Sequence, residues 1–130
     1  MSEHFDENSR DFTSLDCWEK CREVKLLFYK EVVPLLPPDK KYNLGDQIRR
    51  ASISITSNIA GGYGRYHYQE SIQFYRISRG SLFELKDHLI SCLDLDYIKK
   101  QMFDEILAQI EEATKLINGF IRYTENRKED

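Results

Sequence analysis

Apolar residues recur along this chain at intervals of three and four, and no strand-like alternation competes with them. Leu15, Trp18, Cys21, Val24 (or Lys25), Phe28 and Val32 predict a first helix, with Thr13 or Ser14 as its N-cap and an end near Pro34. All three prolines fall between Pro34 and Pro38, so LLPPDKKYN reads as a stiff, extended connection. A second helix begins around Asn43 or Leu44. Its stripe is Leu44, Ile48, Ala51, Ile55 and Asn58 or Ile59, while Ile53 and Ala60 lie on another face. That helix is apolar on more than one side and rich in small residues, which suggests burial against its own bundle and against another surface. Gly61, Gly62 and Gly64 predict its end through the left-handed C-cap geometry that glycine accepts.

A third helix starts within residues 66–69 and ends near Leu95 or Asp96. Its stripe is Phe74, Ile77 or Ser78, Ser81, Leu85, Leu89 and Cys92. Gly80 sits inside it at a cost of about 1 kcal/mol relative to alanine, which points to a close helix crossing there. A fourth helix, from about Ile98 to Glu125, carries Met102, Ile106, Ile110, Ala113, Ile117 and Phe120 or Ile121 inward. Its outer face is charged, with Glu111 and Lys115 at pairing distance. Four helices with short connections predict an all-α, antiparallel up-down-up-down four-helix bundle over residues 14–126. Residues 1–13 read as a flexible N-terminal arm and 127–130 as a frayed tail.

Composition narrows the class. With 130 residues, 41% hydrophobic and 32% charged, the chain is one globular domain able to bury a core without staples. No stretch reaches the roughly 18 apolar residues of a membrane span, and the acidic N-terminus has no leader-like apolar run. A cytoplasmic protein with no membrane partner is expected. Cys17, Cys21 and Cys92 lack metal-type spacing and read as reduced, partly buried thiols.

Charge is unevenly spread. The net charge is −3, yet Lys40 to Lys86 holds eight Lys/Arg against three Asp/Glu, a net +5, leaving −8 elsewhere. Two readings stay open: an anionic partner, or pairing of the basic middle with acidic outer helices of the same bundle. Arg49, Arg50, Arg65, Arg76 and Arg79 are interleaved with Tyr63, Tyr66, Tyr68 and Tyr75. Arginine can neutralise phosphate through bidentate hydrogen bonds, and tyrosine can stack on unpaired bases. The candidate nucleic-acid-binding set is therefore Arg49, Arg50, Arg65, Arg76, Arg79, Tyr63 and Tyr66; the alternative is that these arginines bridge to neighbouring helices or subunits.

Other chemistry is poorly supported. Gly61-Gly62-Tyr63-Gly64-Arg65 lacks the Walker lysine and ends a helix, whereas anions prefer helix N-termini. His4, His67 and His88 are scattered, no Glu-x-x-His occurs, and no third group orients His88 toward Cys92. No cofactor, metal or enzymatic activity is expected. Asn58, on the apolar stripe, is expected to bond to a neighbouring helix or the glycine-rich turn. Glu84 is expected to pair with Arg50 or Arg49.

LGDQIRRASISITSNIAGGYGR, followed by SIQFYRISRGSLFELKDHL, resembles the four-helix bundle family known as 23S rRNA intervening-sequence proteins. Gln47, Arg50, Ala51, Ser54, Ile55, Asn58, Ile59, Ala60, Gly62 and Arg65 fit its pattern, as do Gly80, Ser81, Glu84 and Leu85. The likeness extends to Trp18 and the proline-bearing loop. Gly61 stands where the pattern has Glu, and Ser78 with Arg79 replaces the alanine before Gly80. A related branch comprises the accessory variability determinant proteins of diversity-generating retroelements, pentameric rings that bind a reverse transcriptase and nucleic acid. The resemblance thus implies a homopentamer, a reverse transcriptase or other protein partner, and RNA or DNA binding through helices two and three.

Overall fold

The computed structural model describes residues 11–127. Most of the expected arm, residues 1–10, and residues 128–130 of the expected tail lie outside them. Four helices make up the fold: α1 (Asp16–Leu27), α2 (Leu44–Tyr63), α3 (Tyr68–Asp94) and α4 (Lys100–Arg127). Each packs on its neighbours in sequence, and α4 closes back on α1.

Contacts between helices fix their directions. Ser54 meets Ser81, and the Ile55 carbonyl meets Ser78, so α2 and α3 are antiparallel. Arg76 reaches Glu125 while Lys86 reaches Glu111, which sets α4 antiparallel to α3. On the fourth side Lys20 bonds to Gln109. The core they enclose is mainly aliphatic, with Phe28, Trp18 and Tyr75 as its aromatic members. Phe28, Ile48, Ile55, Ile59, Leu82, Leu85, Leu89, Ile106, Ile110 and Ile117 are fully buried. Each contributes about 1.5–3 kcal/mol by leaving water.

Several local features differ from the sequence-based expectation. Neither Thr13 nor Ser14 caps α1. Both lie in a 3-10 turn, Phe12–Ser14, held by the Asp11 side chain, and Leu15 precedes the helix. Near Pro34 the helix loosens in stages instead of stopping: a π turn over Phe28–Val32, then a 3-10 turn over Val33–Leu35. Proline has no N–H, and its ring would clash with the carbonyl four residues back in a regular α-helix. In the π turn the Val33 N–H reaches the Phe28 carbonyl, five residues back, which changes the path of the chain before the proline.

The glycines at the end of α2 adopt no left-handed geometry: among the described residues no glycine has positive φ, and the helix runs through Gly61 and Gly62 to Tyr63. Gly62 is required by contact. A Cβ there would lie 2.7 Å from the Phe74 Cβ and 2.7 Å from Tyr75 Cε1, closer than packed carbons tolerate. The true left-handed cap ends α3, at Asp96 (φ 61°). Tyr97 N–H reaches the Cys92 carbonyl at 2.8 Å and Asp96 N–H the Leu93 carbonyl at 3.0 Å, the Schellman pattern with aspartate in glycine's usual place.

The buried stripe of α3 runs through Ile72, Tyr75, Ser78, Leu82, Leu85, Leu89 and Cys92; Phe74 is only half-buried, and Ile77 is exposed. About two turns before Gly62 the seam between α2 and α3 is joined by hydroxyl side chains, so apolarity is a poor guide to which face turns inward. Ser78 Oγ donates to the Ile55 carbonyl at 2.7 Å, and Ser54 and Ser81 share a 2.7 Å hydrogen bond. Asn58 donates to Ser54 Oγ at 2.8 Å and to the Ser54 carbonyl, so its link to α3 is indirect, through Ser54. Gly80 marks no close crossing, since a Cβ there would meet nothing within 4 Å. Glu111 pairs with Lys86 across to α3, not with Lys115.

Candidate binding surfaces

The tertiary structure distributes the candidate arginines over three places. Arg49 and Arg50 stand in the early turns of α2. Arg49 is half-buried and donates to the Lys41 carbonyl (3.1 Å) and to Asp46 (2.8 Å), while Arg50 bonds to Gln47. Arg65 lies just beyond the other end of α2, about 22 Å from Arg50 along the axis at 1.5 Å per residue. It pairs with Glu70 at 3.7 Å, and its guanidinium covers the Phe74 ring at 4.5 Å. Arg76 and Arg79 turn toward α4, Arg76 to Glu125 (3.5 Å) and Arg79 to the Asn118 side chain (2.7 Å). Part of the basic middle thus bridges to α4, through Arg76 to Glu125 and Lys86 to Glu111, in line with pairing of the basic middle with an acidic outer helix of the same bundle.

The tyrosines separate as well. Tyr75 is buried, and burial followed by the nearby Cys17 pushes its hydroxyl up to about 12, so its ring is no platform for bases. Tyr63 and Tyr68 are part-exposed, and Tyr66 is 97% exposed. Tyr66, in the α2–α3 turn, therefore stays available together with Arg65.

Folding also adds residues to that end that the sequence reading missed. The last turns of α4 bring Tyr123 and Arg127 against the start of α3. Arg127 donates to the Tyr123 hydroxyl at 3.2 Å, and its guanidinium lies 5.5 Å from the Tyr123 ring and 5.9 Å from the Tyr68 ring. Tyr123 stacks on Phe120 (6.0 Å, 18°), and Phe120 rests on buried Tyr75 at 5.0 Å. An aromatic tier thus climbs from the core to the bundle's end. Its sequence signal was the four-residue spacing of Tyr123 and Arg127, which puts both on one helix face.

A second surface is the outer side of the α2–α3 pair. Ile53 and Ile77 are each about half exposed, at 51% and 53%, and Gly80 has open space above it. The Ser54–Ser81 contact sets the register, so Arg50 stands about level with Glu84, one turn further along. The expected pairing of Glu84 with Arg49 or Arg50 does not form: Arg49 is held by Asp46, Arg50 by Gln47, and Glu84 is exposed. A third surface is a groove of about 900 Å³ between α1 and α4, with Leu27, Met102 and Ile106 in its lining and Lys20, Lys30 and Glu105 among its charged residues.

Among the described residues no group of three or more His, Cys, Asp or Glu side chains is placed to hold a metal ion. All three cysteines are free and buried. Burial, the largest effect on each, pushes Cys17 up to about 12, Cys92 up to about 11 and Cys21 upward as well, so they are protonated thiols near neutral pH and poor nucleophiles. No described helix is long and apolar enough to cross a membrane.

No curated protein is similar enough to the chain to count as a match. The family model described as 23S rRNA-intervening sequence protein matches residues 13–119, which take in α1, α2, α3 and most of α4. With the helical bundle and the motif positions of α2 and α3 in agreement, the chain belongs to the 23S rRNA-intervening sequence protein family.

Proposed function

We propose that this protein is a non-catalytic helical scaffold that assembles with copies of itself through the outer face of α2 and α3. One observation carries the reading: two isoleucines, Ile53 and Ile77, lie half in water on a helix pair whose inner seam is closely packed, and Gly80 beside them is open. Glycine inside an exposed helix costs stability, and among the described residues no atom lies within 4 Å of the missing Cβ to account for it. A second backbone approaching that face would account for it. The occupant is another copy, because the face carries both charges: Arg50 and Glu84 are exposed there and make no ion pair with each other, so one copy can present each to the other's opposite. The family resemblance argues for five copies and for a reverse transcriptase or other protein as the client of the assembly.

Light scattering on the purified chain tests this. The expected result is an oligomer that Ile77→Asp converts to a monomer with an unchanged helical circular dichroism spectrum. A wild-type monomer at high concentration would overturn the reading. An oligomer indifferent to Ile77→Asp and Gly80→Leu would overturn the assignment of the face.

A further inference from the structure

We propose that the end of the bundle formed by the α2–α3 turn and the last turns of α4 binds an unpaired stretch of nucleic acid, by stacking bases on Tyr66 and on the part-exposed rings of Tyr68 and Tyr123. This site is complete within one chain and does not rest on the assembly described above.

Tyr66 is the starting point. Its ring is almost wholly in water and meets only the tilted ring of His67, at 6.4 Å, among the described residues. Such a ring gains from any flat apolar partner. Beside it in sequence, the Arg65 guanidinium lies 4.5 Å from the Phe74 ring centroid and 3.7 Å from Glu70, which places a cation next to the exposed tyrosine. The second platform is held from beneath. Tyr123 rests on Phe120, and Phe120 on buried Tyr75, so little side-chain freedom remains to be lost on binding. Arg127 lies against Tyr68 and Tyr123 and supplies a positive charge at the same place.

This chemistry selects the ligand. Exposed ring faces take up bases that are free to splay, whereas the bases of a duplex are already stacked. Charge plays a smaller part, because Arg65, Arg122 and Arg127 stand against Glu70 and Glu125 in these segments. At most three phosphates are neutralised, so log affinity falls with log salt by a slope no steeper than about −2. An acidic peptide would use the arginines and leave Tyr66 idle.

Fluorescence anisotropy on the full chain tests this, with a labelled oligouridine and a duplex of equal length at low salt. The single strand is expected to bind and the duplex to bind more weakly. Tyr66→Ala is expected to weaken single-strand binding about tenfold, with Tyr66→Phe close to wild type. Because the Tyr66 ring supports no packing, its removal leaves the thermal melt and the scattering mass unchanged, which separates this result from loss of fold or assembly. Equal affinity for duplex, failure to bind the single strand, or binding lost in Arg127→Ala but untouched in Tyr66→Ala would each overturn the proposal, the last by pointing to a purely ionic ligand such as an acidic peptide.

Discussion

Gly62 and Gly80 belong to the same helix pair and are there for opposite reasons. Gly62, near the end of α2, faces α3 so closely that even a methyl group would collide with Phe74 and Tyr75. Gly80, inside α3, faces outward with nothing within 4 Å. One marks an inner seam closed by small residues and hydroxyls, the other an outer face still open for contact. Glycine in a helix is therefore no sign of packing by itself; what decides is the side to which it points.

The largest effect expected concerns the inside alone. The buried thiols have values above the ordinary 9.0, with Cys17 at about 12 and Cys92 at about 11. A raised folded-state value contributes stability that is fully present below pH 9 and is lost as pH rises, since the unfolded chain ionises first. At pH 10 the loss is about 1.4 kcal/mol per thiol, about 4 kcal/mol for the three. Urea melts at pH 7.5 and 10 measure it, and replacing the three cysteines by alanine flattens the difference.

Next is Gly62→Ala. Overpacking against Phe74 and Tyr75 is expected to cost about 1–3 kcal/mol, read as a lowered denaturation midpoint with an unchanged slope. Ser78→Ala removes the hydrogen bond to the Ile55 carbonyl, and chemical denaturation is expected to register about 1 kcal/mol. Gly80→Ala is the sharpest contrast with Gly62→Ala because its sign reverses. The exposed helix gains about 0.8 kcal/mol, measured under conditions where the chain is monomeric, while light scattering reports weaker association. Destabilisation of both glycine variants alike would break the comparison.

The sequence was read most accurately where one face of a helix is plainly apolar. In α4, Ile106, Ile110, Ala113, Ile117 and Ile121 all turn inward, because a single stripe at helical spacing admits one orientation. The beginning of α3 was less legible. Phe74 and Ile77 are more apolar than Ser71 and Ser78, yet the serines are buried on the side of α3 that faces α2, where the Ser71 carbonyl lies against Gly62 and the Ser78 hydroxyl bonds to the Ile55 carbonyl. Of the candidate site, Arg65 and Tyr66 remain together at one end. Arg76 and Arg79 turned to α4, and Tyr123 and Arg127 joined from a helix 55 or more positions away in sequence. No local pattern encodes such a meeting.

Local rules were thus enough for the sequence to determine four helices, their order, most of their core and the family motif on α2 and α3. Periodicity and proline placement act within a few residues and can be read directly. Only the tertiary structure decided which glycine is a contact, which arginines are spent on α4, and which aromatic rings form a tier at the bundle's end. Those outcomes depend on the register and separation of helices, which packing sets across long stretches of chain.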